Sequence, residues 1–349
     1  MSENNKKILV IIPHLNNLSL IKKCLMYLER QTLKNFDVLV IDNGSDDESP
    51  RFLHKWSNEK TNGINRHVIY LSENTGFAHA VNLGFNYSIK NEYDFSVLLN
   101  NDAFVDKFFI ENLYEKILSN DRIFAVSSLM LKYDDSREIE EQFYNNTIDS
   151  FGDNYSIISY AYQNMTGEDM ENARYDIRCF SACGGASIYR NIHLIDTGFL
   201  DERFFAYLED VDLSYRANIL GLKIVASKDA KCVHVGSATS GGKYNSFKVR
   251  LSSRNNIYLI YKNMPFYQMI INMPFILAGI IVKQIYFIKK GFGLDYFFGL
   301  FDGMRGIHKI ERCDFSNISI FRIIKIEIDL IINLILYVKN FLNRKIFNN

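Results

Sequence analysis

The chain has 349 residues, 48% hydrophobic and 23% charged, which allows one large domain with an appendage or two domains and excludes global disorder. Its 40 basic and 40 acidic residues cancel unevenly: 17 Lys and Arg stand against 6 Asp and Glu from Lys231 onward, and 23 against 34 before it. Because the basic residues of the C-terminal third are interleaved with Ile, Leu and Phe runs, they point to an anionic membrane surface and away from nucleic acid.

The first element in chain order is a short β-branched run over residues 7–13, ended by Pro13, which predicts a buried parallel strand. It is too short for a signal-peptide core, so a cytoplasmic location is expected. Leu18, Ile21, Leu25 and Leu28 follow at helical spacing. Residues 36–41 form a second strand that runs into a turn. There Ser49 before Pro50 predicts a helix cap. A third strand over 67–71, a glycine loop, a helix ending near Lys90 and a fourth strand over 95–99 complete an alternation that means βαβ units and a mostly parallel sheet with helices on both faces. Residues 133–178 are polar, aromatic and irregular, and read as an inserted hairpin or mobile loop.

Regularity returns at Phe180. A helix over 208–220 with Gly221 as its C-cap is predicted, followed by two short strands, 223–226 and 231–235. From residue 247 an amphipathic helix begins. Residues 264–282 then carry no charge, near the length that spans a bilayer, but include Asn272, Pro265 and Pro274. Residues 318–347 mix apolar positions with Arg322, Lys325, Lys339, Arg344 and Lys345, the pattern of an interfacial helix. Peripheral membrane binding is the expectation, with a span or packing on the domain as alternatives. The expected domains are 1–245, divided near 130 into donor and acceptor halves, and a helical region 246–349. The five cysteines, Cys24, Cys179, Cys183, Cys232 and Cys313, fit no metal spacing and predict reduced thiols.

In open α/β sheets ligands bind beyond the carboxyl ends of the strands. Three polar clusters occupy such ends: Asp42-Asn43-Gly44-Ser45, Asn74-Thr75-Gly76-Phe77 and Asn100-Asn101-Asp102. One such cluster is ordinarily a turn. Three at successive strand ends favour a nucleotide site. Asp42 suits the imide of a pyrimidine base, and Asp102 suits a hard cation bridging a diphosphate. There is no P-loop and no complete Gly-x-Gly-x-x-Gly. Glu209, Asp210 and Asp212 fall at a helix start, where the dipole favours carboxylates. One of them is placed to act as a general base. Phe204, Phe205 and Tyr207 would form an acceptor platform beside it, and His234 would complete a metal site opposite Asp102.

The ordered set Val10-Ile11-Ile12-Pro13, Val40 to Asp47, Asn74 to Ala78, Leu98 to Asp102, Gly184-Gly185-Ala186, Gly198 to Phe205, Glu209 to Leu213 and His234 resembles glycosyltransferase family 2, nearest to rhamnosyltransferase-like enzymes of bacterial surface polysaccharide assembly. The resemblance implies a GT-A fold, with a C-terminal helical, membrane-associating extension, and inverting transfer from a nucleotide-diphosphate sugar, dTDP-L-rhamnose or a UDP-hexose. A lipid-linked saccharide is the expected acceptor, on the inner face of the cell membrane. It implies Asp210 as catalytic base, with Asp102 and His234 holding Mg²⁺ or Mn²⁺. The donor would meet Pro13, Asn16, Asp42, Asn43, Ser45, Asn74, Gly76, Phe77, Asn82, Asn100 and Asn101. The acceptor would meet Gly184, Gly185, Phe205, Tyr207 and Glu209. Asn100 departs from the Asp-x-Asp metal motif. A processive synthase would need a Gln-x-x-Arg-Trp motif, and the chain's single tryptophan is Trp56. A nucleotidyltransferase would need a Gly-rich basic loop after the first strand, which is missing. A non-catalytic membrane scaffold is the alternative from another class.

Overall fold

The computed structural model describes residues 7–59, 63–236 and 244–347, with side chains to residue 342. The first half alternates as its hydrophobic pattern dictates: β1 (Ile8–His14), α1 (Leu18–Glu29), β2 (Phe36–Asp42), α2 (Ser49–Asn58), β3 (Arg66–Tyr70), α3 (Phe77–Lys90) and β4 (Phe95–Leu99). There follow β5 (Ala103–Val105), α4 (Phe109–Leu118), β6 (Ile123–Lys132), α5 (Ile139–Gln142), β7 (Ile148–Phe151), β8 (Asp153–Ser156) and β9 (Tyr160–Gln163). The acceptor half continues with β10 (Ile177–Arg178), β11 (Ala186–Arg190), α6 (Asn191–Thr197), α7 (Glu209–Leu220) and β12 (Lys223–His234). Four helices close the chain: α8 (Ser246–Asn263), α9 (Phe266–Lys289), α10 (Gly293–Gly306) and α11 (Ile320–Phe347).

The main sheet runs β10-β12-β6-β11-β4-β1-β2-β3. β1 pairs in parallel with β2 and β4, and β2 with β3. Every residue of β1 and β4 is buried, which is why both read as near-continuous apolar runs, broken only by Ser96 and by His14 at the end of β1. β11 is antiparallel to both β4 and β6, so the sheet is mixed. That pairing sets Ala186 against Leu99 and brings Gly184 and Gly185 to the end of β4.

Two local expectations are corrected. The two strands expected over 223–235 are one strand, β12, with a register shift between Ser227 and Lys231. Ser49 does not cap α2; its amide donates to Asp47 Oδ1 at 2.8 Å, and Ser49 itself begins the helix. The segment 133–178, expected as an inserted hairpin or mobile loop, contains the β8–β9 hairpin together with β7. Elsewhere α7 ends on Gly221 in the left-handed region (φ +77°), as its sequence requires.

The composition change near residue 246 does not separate two cores. Tyr155, Phe180, Phe204, Val211 and Tyr215 pack in one cluster with Tyr258, Leu259, Ile276, Ile326 and Leu330. α9 is long and apolar enough to cross a membrane, by length and composition, and it continues through Pro274. Its stripe of Gln268, Asn272, Ile276 and Gly279 is nevertheless turned inward. Gln268 and Asn272 both donate to Glu327 Oε2 on α11, at 2.5 and 2.9 Å.

Candidate active site

The strand ends converge on one cavity of about 1060 Å³. At its donor end Asn43 ties two loops together. Its Oδ1 accepts from the Thr75 amide (3.0 Å) and hydroxyl (2.9 Å), and its Nδ2 donates to Asn74 Oδ1 (3.1 Å) and the Gly76 carbonyl (3.2 Å). Asn101 donates to His14 Nδ1 at 2.8 Å, which leaves the ring proton on Nε2. That nitrogen is buried without a partner, and burial lowers the pKa of His14, which keeps the ring neutral.

Of the expected donor contacts, Pro13, Asn43, Asn74, Phe77, Asn100 and Asn101 line the cavity. Asn16, Asp42, Ser45, Gly76 and Asn82 do not. Asn16 and Ser45 brace a loop: the Asn16 amide donates to Ser45 Oγ (2.8 Å), and Asn16 Oδ1 accepts from the Asp46 amide (2.9 Å). Asp42 is buried and accepts from the Ser45 amide at 3.1 Å. At Gly76 (φ +94°) the Phe205 ring closes over the backbone, and a Cβ would come within 2.6 Å of it. Asn82 spends its amide on the Leu200 carbonyl and Glu202 (2.9 Å each), so its role is to fasten α3 to the loop before α7.

Asp102 and His234 sit side by side at the same end. β12 pairs with β5 so that His234 stands opposite Ala103, and its Nε2 lies 3.4 Å from Asp102 Oδ1. Its other nitrogen, Nδ1, is 2.9 Å from Asp149 Oδ2. Burial lowers the His234 pKa, but the hydrogen bonds and charges of Asp102 and Asp149 outweigh it and raise it to about 10, so without a cation the ring is protonated and donates to both carboxylates. A divalent cation that displaced the Nε2 proton would meet that nitrogen and Asp102 Oδ1 together, and Asp149 behind the imidazole would fix its orientation as an outer-shell partner does. The donor set therefore fits Mg²⁺ or Mn²⁺. A second grouping, Asp153, Cys183 and Asp210, has donor atoms within 4.8 Å of one another. Burial pushes the Cys183 thiol well up, so it stays protonated and makes a poor ligand.

At the acceptor end, Gly184, Gly185, Phe205, Tyr207, Glu209 and Asp210 all line the cavity. The Gly184 amide donates to Asp210 Oδ2 at 2.9 Å, and a Cβ at Gly184 would reach within 3.3 Å of that oxygen. Phe205, Tyr207 and Leu208 all adopt positive φ (64°, 69° and 68°), an unusual run for side chains of this size. Asn255 of α8 holds the turn by donating to the carbonyls of Phe204, Ala206 and Tyr207 at 2.9, 2.8 and 2.7 Å. Burial raises the Asp210 pKa, opposed by hydrogen bonds from the Gly184 and Val211 amides. Burial, then the Asp210 charge, raises Glu209 to about 8. Asp212 takes no part in the cavity. It is wholly buried and bound by Arg216, Lys262 and Asn263.

The sequence family described as Glycosyl transferase family 2 matches residues 9–196, more than half of the chain. The chain belongs to glycosyltransferase family 2. A glycosyltransferase, GlyA of Streptococcus pneumoniae serotype 4, is 30% identical over 150 residues, 43% of this family 2 chain and 19% of that relative's length. Among solved structures, TarS 1–349 of S. aureus in complex with UDP-GlcNAc aligns at a TM-score of 0.55 and 17% identity, covering 86% of this chain and 81% of that one. GalNAc-T7 with UDP, GalNAc and Mn²⁺ aligns at 0.57 and 13% identity, over 74% and 48%. These likenesses establish the GT-A-like architecture of this family 2 member.

Three cavity residues, His14, Asp153 and Tyr162, escaped the sequence reading, as did Asp149 behind His234. His14 follows Pro13 directly, so its place at a strand end was the available signal. Asp149 and Asp153 lie in four-residue strands without alternation, which give no pattern to read.

Proposed function

We propose that this chain transfers a single sugar from a nucleoside-diphosphate sugar to a saccharide acceptor, with inversion at the anomeric carbon. The observation that carries this is the convergence of Asp102, His234 and Asp210 on a single cavity. Asp210, its carboxylate aimed by the Gly184 amide, takes the proton of the attacking acceptor hydroxyl. The strand-end residues Asn43, Asn74, Asn100 and Asn101 orient the nucleotide, and Phe205 and Tyr207 border the acceptor. Asp102 and His234 would hold Mg²⁺ or Mn²⁺, which supplies charge to the departing diphosphate.

The nucleotides carried by the aligned structures, UDP-GlcNAc in TarS and GDP-Man with Mn²⁺ in the mannosyltransferase PcManGT of Pyrobaculum calidifontis (TM-score 0.50, 14% identity, 86% of each chain), support the donor class and the metal. The motif set favours dTDP-L-rhamnose as the donor, ahead of a UDP-hexose. The basic, apolar exposed helices favour a lipid-linked acceptor at the cytoplasmic face of the cell membrane, in surface polysaccharide assembly. Single transfer fits the position of Trp56, which is remote in α2 and donates to Glu29 at 3.0 Å.

The test combines binding and turnover. A donor at 100 times its Kd stabilises the fold by about 2.7 kcal/mol, so a thermal-shift screen of nucleotide sugars with Mn²⁺ identifies it. Asp210→Asn should keep that shift and lose nucleotide release onto a membrane-extract acceptor by about 10²-fold or more. Wild-type turnover in Asp210→Asn sinks the assignment. Asp102→Ala should abolish the sensitivity of the remaining activity to EDTA.

A further inference from the structure

Beyond Asp210 the cavity ends in an aromatic wall that the transfer chemistry leaves unused. Tyr160 and Tyr162 come from β9, and Tyr337 and Phe341 from α11, and all four line the same cavity as the base. The Tyr160 and Tyr162 rings lie 6.2 Å apart at 20°, and Tyr337 stands 5.0 Å from the first and 5.2 Å from the second. The rings are pinned from behind. The Tyr162 hydroxyl donates to the Asn333 carbonyl at 2.6 Å and accepts from Asn154 at 3.2 Å. Lys283 donates to the Ser159 carbonyl at 2.6 Å and stands 5.1 Å from the Tyr160 ring centroid. Asp153, with a carboxylate oxygen within 4.8 Å of Asp210, lines the same cavity, and Gln163 and Thr166 add further polar groups to its lining.

Fixed ring faces bordered by hydrogen-bonding groups match a pyranose, which has one apolar C–H face and a hydroxyl edge. An alkyl chain would have no use for the polar border. The apolar surface suited to lipid lies elsewhere: Ile328, Ile331 and Ile335 of α11 are exposed and do not face the cavity. The cavity, about 1060 Å³, also lies at the top of the range of roughly 300–1,000 Å³ that encloses one small ligand, which leaves room beyond a donor.

We propose that Asp153, Tyr160, Tyr162, Tyr337 and Phe341 form a second saccharide subsite that holds the sugar next to the one being glycosylated, so that the acceptor is a glycan of two or more residues. This rests on the transferase reading of the cavity, and its test is run without donor so that the two can fail separately. The full chain is titrated with a panel of disaccharides, their methyl monosaccharides and alkyl glycosides of increasing chain length, with binding read by saturation-transfer NMR.

At least one disaccharide should bind about tenfold more tightly than its monosaccharides, and Tyr337→Ala should remove about tenfold while Tyr337→Phe retains the affinity. A thermal shift with UDP and Mn²⁺ reports whether each variant is folded. Should Tyr337→Ala not fold, Phe341→Ala, near the end of the helix, gives the same readout. Unchanged disaccharide binding in the folded alanine variant overturns the subsite. So does a wild-type affinity that grows with alkyl length and ignores the second sugar. A chain that binds disaccharides but consumes no nucleotide sugar would sink the transferase reading and leave the subsite standing.

Discussion

Glu209 sits where a carboxyl group is least comfortable, buried beside Asp210 with Oε2 lacking any hydrogen-bond partner. Its folded pKa of about 8 lies well above the ordinary carboxylate value of 4.5. Below the ordinary value both the folded and the unfolded chain hold the proton, and stability is unaffected. Between it and about 8, only the folded chain does, so stability falls as pH rises through that window and levels off above it. Glu209→Gln removes the liability. It should stabilise the fold by on the order of 2–4 kcal/mol more at pH 8 than at pH 5, measured by urea denaturation at both values. An equal gain at the two pH values would contradict the buried-acid account. The activity has the opposite slope: burial holds Asp210 above the usual carboxylate range, so the acid limb of the rate profile should lie above that range. Asp102 and Asp210 were legible in sequence because one follows a strand end and the other opens a helix. Asp149 was not, because its function depends on His234, 85 residues away.

The turn before α7 shows how one element is held by another. Three carbonyls of residues 204–207 accept from the amide of Asn255, a wholly buried residue of α8, and the Phe204 carbonyl also accepts from Arg254 and from the Ala206 amide. Asn255→Ala would take the side-chain donor away from the buried turn, most of all from the Ala206 carbonyl. A buried polar group left unpaired costs about 1–3 kcal/mol, so the variant should lose at least that much stability. Its turnover should fall further than its donor affinity, because the turn leads directly into Asp210 and meets the donor-side loop only through Phe205 against Gly76 and Ala78. A variant with reduced stability but wild-type turnover would show that the positive-φ run holds itself. Sequence periodicity located α7 and its Gly221 cap, since both depend on local chemistry. It could not locate the role of α8 in that turn, because Asn255 lies on the inward face of a helix whose polar and apolar residues are not cleanly segregated. Composition pointed to a hairpin or loop within 133–178 but could not place β8–β9 inside it, for a related reason. Each strand has four residues, and Tyr162 finds its hydrogen-bond partner at Asn333, 171 positions later.

At the scale of the whole molecule, the C-terminal helices present two unlike faces. α9 turns Gln268, Asn272, Ile276 and Gly279 inward. Its Ile271, Phe275, Val282 and Ile285 are exposed and follow at spacings that keep them on one side of the helix. Phe297, Phe301 and Met304 of α10 and Ile324, Ile328 and Ile335 of α11 extend the exposed apolar surface, with Lys289, Lys290, Arg305 and Lys309 exposed among them. A basic and apolar surface of this kind suits an anionic bilayer. The wild-type chain should float with phosphatidylglycerol vesicles in a density gradient. A variant with Ile271, Phe275, Val282 and Ile285 all changed to Glu should remain folded and stay at the bottom. Equal flotation of both would remove this face from consideration. Deleting the helices outright would be a poor test, because Ile276, Ile326 and Leu330 share a core with Phe204 and Val211 beside the base. Composition indicated the apolar, basic character of this region but not its docking, since the inward stripe of α9 is as polar as it is apolar.

That docking sets an order of events during synthesis. Asn43, Asn74, Asn100, Asn101 and Asp102 all precede residue 103, His234 joins them later, and the far wall includes Tyr337 and Phe341. A ribosome adds residues from the N-terminus at about 5–20 per second, so those strand ends are translated on the order of 10–40 s before α11. During that interval a nascent chain has strand ends for a nucleotide but only part of the wall that faces the base. The cleft is complete only after one of the last helices has been made and has folded back against a hairpin formed near the middle of the chain.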